Sequence, residues 1–357
     1  MKEKTLNWFY HNSTIVLLVV PLLIIALIAD NIGDNLIERV ITVLFINLVI
    51  VLGLQLFMGN SGILAWTHVG FMGIGAYASV LCSMTPEAKA LTLPNLYPVI
   101  AQIHLPFLVS ILIGAVVAAF AATLISYPLM RLSDAAAVIT FFATLIVIHV
   151  VLIRWDVVTN GPRTLFGVER YTYLWTSAIF GIITVIAALW FKESALGLKL
   201  RASRDDRYAA ASIGINIVRV RWYAFIVSAF IAGLGGGLWA HFITSFSPSA
   251  FYLSETFTLL AMLVVGGASS VSGAVVGTVV VTLAREVLRG IENTATFTQV
   301  LPVDLLGFTE VFLAIALIVV LALRPSGLLG SREITWKRKR KVIPNGNGFE
   351  TETNPEV

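Results

Sequence analysis

Long apolar stretches recur along most of the chain, and a polar interval separates each from the next. A helix needs about 20 apolar residues to cross a lipid bilayer. Only 12% of the 357 residues are charged, whereas a soluble domain has roughly 25% and needs them for its surface. The sequence therefore predicts an all-α polytopic membrane protein with about ten transmembrane helices, some of them short or broken.

The apolar stretches divide the chain into a transmembrane domain over residues 14–331 and two flanking segments, 1–13 and 332–357. The tail 332–357 is basic and polar, with too few apolar groups to fold, so we expect it to be disordered. The third, eighth and ninth predicted spans are short or interrupted by glycine. The ten predicted spans cover residues 14–30, 36–58, 64–84, 105–129, 135–154, 172–191, 222–244, 255–268, 273–290 and 305–323.

Basic residues are concentrated in alternate loops. With the N-terminus in the cytoplasm, 17 of the 24 lysines and arginines fall on the cytoplasmic side and 7 on the other. Cytoplasmic loops of membrane proteins carry an excess of these residues. We therefore expect both termini in the cytoplasm and an even number of spans. The same bias explains the net charge of +4 without any nucleic-acid binding.

The one long polar interval between apolar blocks covers residues 192–221. From Ala202 to Ile217 its residues favour a helix, with apolar positions at Ala209, Ile213 and Ile217 in i, i+4 register. Gly197 and Gly214 are predicted to break the ends of this helix. Its charged face is formed by Arg201, Arg204, Asp205 and Arg207. Mixed charge of this kind favours docking to a protein over resting on lipid headgroups, so we expect an amphipathic helix outside the membrane that receives mechanical work from a partner.

Glycine is clustered at Gly59–Tyr77, Gly233–Gly237 and Gly266–Gly277. Such clusters allow tight helix packing, or they mark broken helices that line a transport path. Buried polar and ionisable groups at membrane depth mark the same kind of path. The candidate translocation path comprises Gly59, Ser61, Gly62, His68, Gly266, Gly267, Ser272, Gly273 and Glu310.

No signature of an enzyme or a metal site is present in the sequence. The phosphate-loop pattern for ATP and the H-E-x-x-H and G-x-S-x-G patterns are absent. The five histidines have no metal-ligand spacing, and the lone Cys82 excludes a disulfide framework. We therefore assign no catalytic residue, no metal and no bound cofactor to this chain.

Five segments together resemble the permease subunits of branched-chain amino-acid ABC importers, of the LivM type. The resemblance extends over roughly residues 50–330, and the order and spacing of the segments are specific. The segments are GLQLFMGNSGILAWTHVGFMGIGAYASVL (53–81), GLKLRASRDDRYAAASIGINIVRVRWYAFIVSAFIAGLGGGLWA (197–240), SPSAF (247–251), VVGGASSVSGAVVG (264–277) and LRPSGLLG (323–330).

The resemblance implies one of two permease subunits, expected as a heterodimer, in the bacterial inner membrane. Two ATPase subunits, which carry ATP and Mg²⁺, would dock on the cytoplasmic side, and a periplasmic binding protein would deliver the solute. The interval 192–221 would be the coupling loop. Its matching positions are Gly197, Arg201, Ala202, Arg204, Asp205, Ala210 and Gly214.

The sequence departs from the family pattern at RLSDAAAV (131–138) and TNGPRTLFG (159–167), and at Ile63, Ala65 and Thr67. These departures leave the solute open among branched-chain amino acids, other amino acids, urea and short amides. A stand-alone solute channel and a membrane-embedded enzyme of lipid metabolism are the other hypotheses. A channel has no need of the charged loop helix, and an enzyme needs a polar cluster that the sequence lacks.

Overall fold

The computed structural model describes residues 13–293, 308–324 and 326–335, and in these ranges the regular structure is helical. The only β-type pairing there is an isolated bridge between Leu165 and Phe246. The helices are α1 (Ser13–Ile32), α2 (Asn35–Ser61), α3 (His68–Ser83), α4 (Pro86–Thr92), α5 (Pro98–Ala101), α6 (Phe107–Leu129), α7 (Asp134–Arg154), α8 (Asp156–Thr159), α9 (Leu174–Glu193), α10 (Ala195–Asp205), α11 (Arg207–Ser212), α12 (Ile217–Ile243), α13 (Leu253–Gly266), α14 (Val271–Asn293) and α15 (Phe308–Leu323). A 3₁₀ turn, Pro248–Phe251, precedes α13.

Among the described residues, eight helical segments are long and apolar enough to cross a membrane: α1, α2, α6, α7, α9, α12, Pro248–Gly266 and Val271–Gly290. The helix α3 is apolar but shorter, with 16 residues, and α15 also has 16. The predicted all-α polytopic membrane class is therefore confirmed. The predicted tenth span begins at residue 305, and residues 305–307 lie outside the described ranges, as does the tail beyond 335.

The largest difference in a predicted boundary concerns α12, which begins at Ile217 and not at residue 222. The side chain of Asn216 accepts a hydrogen bond from the backbone N–H of Arg219 at 3.1 Å and caps the helix. This cap places Arg219 and Arg221 inside the helix, although their charge suggested a loop.

The helix α2 lies in the centre of the bundle. Of its most apolar 18-residue stretch, 89% is buried, whereas the corresponding share for α1 is 22%. The helix α12 packs against α2, α3 and α6. Glycine makes the closest of these approaches possible: a Cβ on Gly236 would lie 2.0 Å from the carbonyl oxygen of Met72, and a Cβ on Gly75 would lie 2.3 Å from that of Gly233. Small residues at helix contacts are how helices pack tightly in lipid.

Two histidine–serine pairs join α3 to α12 inside this packing. His68 Nε2 bonds to the hydroxyl of Ser228, and His241 Nε2 lies 2.7 Å from the hydroxyl of Ser83. The pairs link the first turn of α3 to the middle of α12 and the last turn of α3 to the end of α12. The two helices therefore run parallel, with their interior polar groups paired as a membrane interior requires.

Alternate loops gather at the two ends of the bundle. At one end Arg204 reaches Gly59, and Arg221 pairs with Asp134 at 2.9 Å. At the other end Thr92 donates to the carbonyl of Phe166 at 3.0 Å. We call the first the basic end, which collects the described loops 62–67, 130–133, 194–216, 267–270 and 326–335. The second, with loops 33–34, 84–106, 155–173 and 244–252, is the opposite end.

Replacing Gly236 with alanine tests the close packing of α12 on α3. The added methyl group meets backbone at 2.0 Å and forces the helices apart, so we expect destabilisation of about 1–3 kcal/mol. The readout is the Tm of the purified protein in detergent. Gly290→Ala, where a Cβ meets nothing within 4 Å, is the matched control and should keep the wild-type Tm or exceed it. Equal Tm values for the two variants would contradict the packing.

Candidate functional site

The coupling loop folds into two helices, α10 and α11, and not into the single helix predicted over 202–217. The break is at Asp206, whose backbone is extended and whose carboxylate accepts the N–H groups of Tyr208 and Ala209 at 2.8 and 2.9 Å. Ser194 caps α10 by accepting the N–H of Gly197 at 3.2 Å. Gly197 therefore lies in the first turn of α10 and breaks nothing. Gly214, at φ +85°, follows the end of α11, as predicted.

The apolar register predicted for this loop is also corrected. Ile213 is 75% exposed, Ala209 is exposed, and Tyr208 is 88% exposed, whereas Leu200 and Ala210 are buried against the rest of the protein. The break at Asp206 rotates α11 relative to α10, so the spacing of one continuous helix does not apply. The outcome is a pair of exposed apolar side chains, Tyr208 and Ile213, with charged neighbours, and Ile213 lines a cleft with Val220 and Tyr223 of α12. Exposed apolar surface of this kind marks an interaction site.

Arg204 connects α10 to the first glycine break. Its Nη1 donates to the carbonyl oxygen of Gly59 at 2.7 Å. Its Cγ lies 2.8 Å from the position that a Cβ on Gly62 would take, and Gly62 itself has φ +73°. Asp205 accepts from the same guanidinium at 3.2 Å and orients it. The end of α2 is thus held by a side chain from the coupling loop.

The second glycine break lies directly beside the first. The helix α13 ends at Gly266, Gly267 takes φ +119°, and α14 begins at Val271. A Cβ on Gly59 would be 2.2 Å from the carbonyl oxygen of Ala268. The two interrupted segments therefore touch through their backbones, and any side chain at Gly59 would separate them.

The segment after α15 covers the second break. The N–H groups of Leu328 and Leu329 donate to the carbonyls of Val265 and Gly266 at 2.9 and 3.1 Å. Ser270 Oγ donates to the carbonyl of Gly330 at 3.1 Å. Backbone groups freed by a broken helix must be satisfied within the protein, and residues 326–330 do this here.

A buried ion pair joins the coupling loop to the second break. Lys192 is the penultimate residue of α9, and its Nζ lies 2.5 Å from Oε1 of Glu333. Glu333 also accepts the N–H groups of Val271 and Ser272 at 2.8 and 2.9 Å, and so caps α14. Burial alone raises the pKa of the Glu333 carboxyl, but the Lys192 ammonium and the hydrogen bonds from Ser272 outweigh burial and hold this pKa below its usual value.

The two breaks enclose a cavity at the basic end, which we call the inner cavity. Its volume is about 440 Å³. The walls come from both breaks, from the coupling loop and from the segment after α15. They include Gly59, Gly62, Arg204, Ala268, Ser269 and Gly330.

Of the predicted path residues, Gly59 and Gly62 line this cavity. Ser61 accepts the N–H of Ile63 at 3.2 Å and shapes the first break, and Gly266, Gly267, Ser272 and Gly273 form the second. His68 lies elsewhere, among Phe57 and Phe225 in the core, where it bonds to Ser228. Glu310 lies in α15, but its side chain is outside what the structure describes.

Sequence reasoning missed Lys192 and Glu333 as site residues. Lys192 looked like one of many basic loop residues, and Glu333 lies in the segment assigned to the polar tail. A glutamate a few residues after the last span is the only signal that pointed to it. In the described part of the chain, no cluster of three or more His, Cys, Asp or Glu side chains is arranged to hold a metal ion.

Comparison with known proteins places these features in a family. The model described as branched-chain amino acid transport system / permease component matches residues 36–323. The high-affinity branched-chain amino acid transport system permease protein LivM of Escherichia coli (strain K12) is 25% identical over 324 residues, 81% of this chain and 68% of LivM. No solved structure gives a significant match.

Two further relatives are permeases. The probable branched-chain amino acid transport permease protein LivH of Methanocaldococcus jannaschii is 24% identical over 340 residues, 89% of this chain and 99% of that protein. The ribose import permease protein RbsC of Haemophilus influenzae is 25% identical over 209 residues, 54% of this chain and 62% of RbsC.

The Lys192–Glu333 pair predicts a pH-dependent stability. Glu333→Gln should lower the free energy of unfolding at pH 7 by about 3 kcal/mol, because it removes one partner of a buried pair. A carboxyl with a lowered folded pKa stabilises above its ordinary pKa, and this stabilisation is lost as the pH falls through the lowered value. The Tm difference between wild type and variant should therefore persist down to about pH 4.3 and then disappear.

The matched control for this experiment is Glu87→Gln, an exposed glutamate at the opposite end. It should change the free energy of unfolding by no more than about 0.5 kcal/mol. A Tm difference for Glu333→Gln that stays constant through pH 3 would show that packing, and not the charge of Glu333, stabilises this contact.

Proposed function

The chain belongs to the branched-chain amino acid transport system / permease component family, and from that premise we propose that it forms the translocation path of an ATP-driven importer. As a permease it is a multi-pass transmembrane subunit and not an enzyme, and no cofactor is expected on it. The proposed solute is a branched-chain amino acid or a related small molecule.

The proposed partners are two ATPase subunits, a second permease and a binding protein that delivers the solute. The ATPases would dock on the exposed apolar side chains of α11 and of the turn that follows it, Tyr208 and Ile213. By the excess of basic residues, the basic end would lie in the cytoplasm of a bacterium and both termini with it. The binding protein would then meet the opposite end.

The observation that carries the proposal is the hydrogen bond from Arg204 to Gly59. A partner that pushes on α10 and α11 moves Arg204, and Arg204 moves the first break. The second break responds to the same push through Lys192, which lies two residues before the Ser194 cap and binds Glu333. Since both breaks enclose the inner cavity, a push on the coupling loop opens or closes that cavity.

Urea, short amides or another amino acid are the alternative solutes, and a stand-alone channel is a more distant alternative. The similarity to a ribose permease over 54% of the chain favours an importer with a variable solute. A channel opens without a partner and gains nothing from an exposed apolar loop surface. Contacts from that loop to both breaks therefore support the importer.

Replacing Arg204 with alanine should uncouple ATP hydrolysis from transport. The loss of the bond to Gly59 removes the contact through which α10 moves the first break. In the assembled complex we expect solute-stimulated ATP hydrolysis to fall about tenfold. This corresponds to a loss of about 1.4 kcal/mol of coupling free energy between the loop and the first break. Arg332→Ala, an exposed arginine at the same end, should retain full stimulation. Equal stimulation in both variants would remove the coupling role.

A cysteine in the inner cavity tests whether solute passes there. In a Cys82→Ala background, Ser269→Cys places a thiol on the cavity wall. A charged methanethiosulfonate reagent should then lower the rate of uptake, because its adduct occupies part of the cavity. Ser133→Cys, exposed at the same end, should react without effect. Full uptake after complete labelling at residue 269 would place the path elsewhere.

A further inference from the structure

A second cavity lies at the opposite end, between α2, α12, α13 and α14. Its volume is about 490 Å³, and it extends along α2 as far as Asn47. Asn47 is twelve residues beyond the start of α2, which is about 18 Å at 1.5 Å per residue. The hydrocarbon core of a bilayer is about 30 Å thick. This outer cavity therefore leads from the membrane boundary to about the middle of the bundle.

Charges of both signs face each other across the outer cavity. Glu255 is on α13, and Arg285 and Arg289 lie four residues apart on one face of α14. Arg39 of α2 and Glu286 of α14 also line the cavity. Glu255 Oε2 and Arg285 Nη1 are 3.9 Å apart, which is longer than a charge-assisted hydrogen bond of about 2.7–2.9 Å. Within the described residues neither side chain makes a hydrogen bond. The carboxylate thus retains its acceptors, and the guanidinium retains its donors.

Two buried polar side chains also lie on the wall, and one of them lacks a partner. Thr282 is 6% exposed, and its hydroxyl has no hydrogen bond. Asn47 is 4% exposed and lines the same cavity. A buried polar group left unpaired costs about 1–3 kcal/mol, so each such group calls for an explanation. Ionisable groups at membrane depth mark substrate pathways, and a solute with polar groups would satisfy the Thr282 hydroxyl.

The chemistry of the wall selects the kind of solute. A free α-amino acid carries an ammonium and a carboxylate on one carbon, so its charges are as close together as those of Glu255 and Arg285. Binding it adds no net charge to a site that is partly removed from water, where an unpaired charge is costly. Val43 and Trp239, also on the wall, offer apolar surface to a hydrocarbon side chain. Urea and short amides carry no charge that would match this pair.

We propose that the outer cavity binds the charged backbone groups of an α-amino acid, with Glu255 accepting from the ammonium and Arg285 and Arg289 donating to the carboxylate. This inference rests on the proposed import function and narrows its solute. Asn47 and Thr282 complete the polar floor of the site. The amino acid occupies this site before it reaches the inner cavity.

The test is binding of tritiated L-leucine to the purified full chain in lipid nanodiscs, with no binding protein present. The competitors are unlabelled leucine, 3-methylbutylamine, 4-methylpentanoate and urea, which differ in the charges they carry. Leucine should compete best. Glu255→Gln and Arg285→Gln should each weaken leucine binding about tenfold or more. The first should shift preference toward the acid, and the second toward the amine. Glu87→Gln should bind like wild type.

Photo-leucine, a diazirine analogue, tests the location. Its diazirine is on the side chain, so its label should appear on peptides from α2 and α12, which carry Val43 and Trp239, and should be displaced by leucine. The inference is overturned if urea competes as well as leucine, if the variants bind leucine as Glu87→Gln does, or if the label is confined to other helices. The inference is also overturned if Glu255→Gln and Arg285→Gln bind leucine normally but change the affinity of the complex for the binding protein. The charges of Glu255 and Arg285 would then serve to dock the binding protein.

Failure of this inference is distinguishable from failure of the proposed function. The assembled complex reports on the latter through ATP hydrolysis stimulated by the loaded binding protein. If ATP hydrolysis is stimulated but any of the overturning results is found, only the proposed amino-acid site is wrong. If no solute stimulates ATP hydrolysis in the complex, the proposed import function is wrong, and so is the inference that rests on it.

Discussion

Backbone groups cannot stay unpaired in lipid, and this constraint governs the structure wherever a helix is interrupted. Arg204 satisfies the carbonyl of Gly59 at the first break, while residues 326–330 and Glu333 satisfy both sides of the second. Continuous helices need no such help. The partners at the breaks come from segments distant in sequence, so the breaks are also the places where distant parts of the chain are mechanically joined.

The two cavities lie along one helix. The outer cavity reaches Asn47 on α2, and the inner cavity begins at Met58 and Gly59 on the same helix. Between them Gln55 is fully buried with both amide atoms unpaired, and its Nε2 lies 2.8 Å from the position of a Cβ on Gly59. Polar side chains of α2 therefore lie at the outer cavity and between the two cavities. A solute moving between them would meet the amide of Gln55 about one helical turn before Gly59.

The sequence was sufficient for the all-α membrane class and for the eight long spans, because burial in lipid makes apolar length a local property of the chain. It also located both glycine breaks. It did not predict that Gly59 touches Ala268, since that contact depends on how α2 packs against α13 and α14. The single loop helix was wrong because Asp206 forms an N-cap that competes with helix continuation. Glu333 escaped notice because its partner Lys192 is 141 residues away.

Residues 326–334 complete the second break, and they are the last described part of the chain to be synthesised. Until they emerge from the ribosome and fold back, the carbonyls of Val265 and Gly266 and the first turn of α14 lack their partners. The second break is therefore completed last: a chain that lacks residues 326–334 leaves these carbonyls and the N–H groups of Val271 and Ser272 without their hydrogen-bond partners.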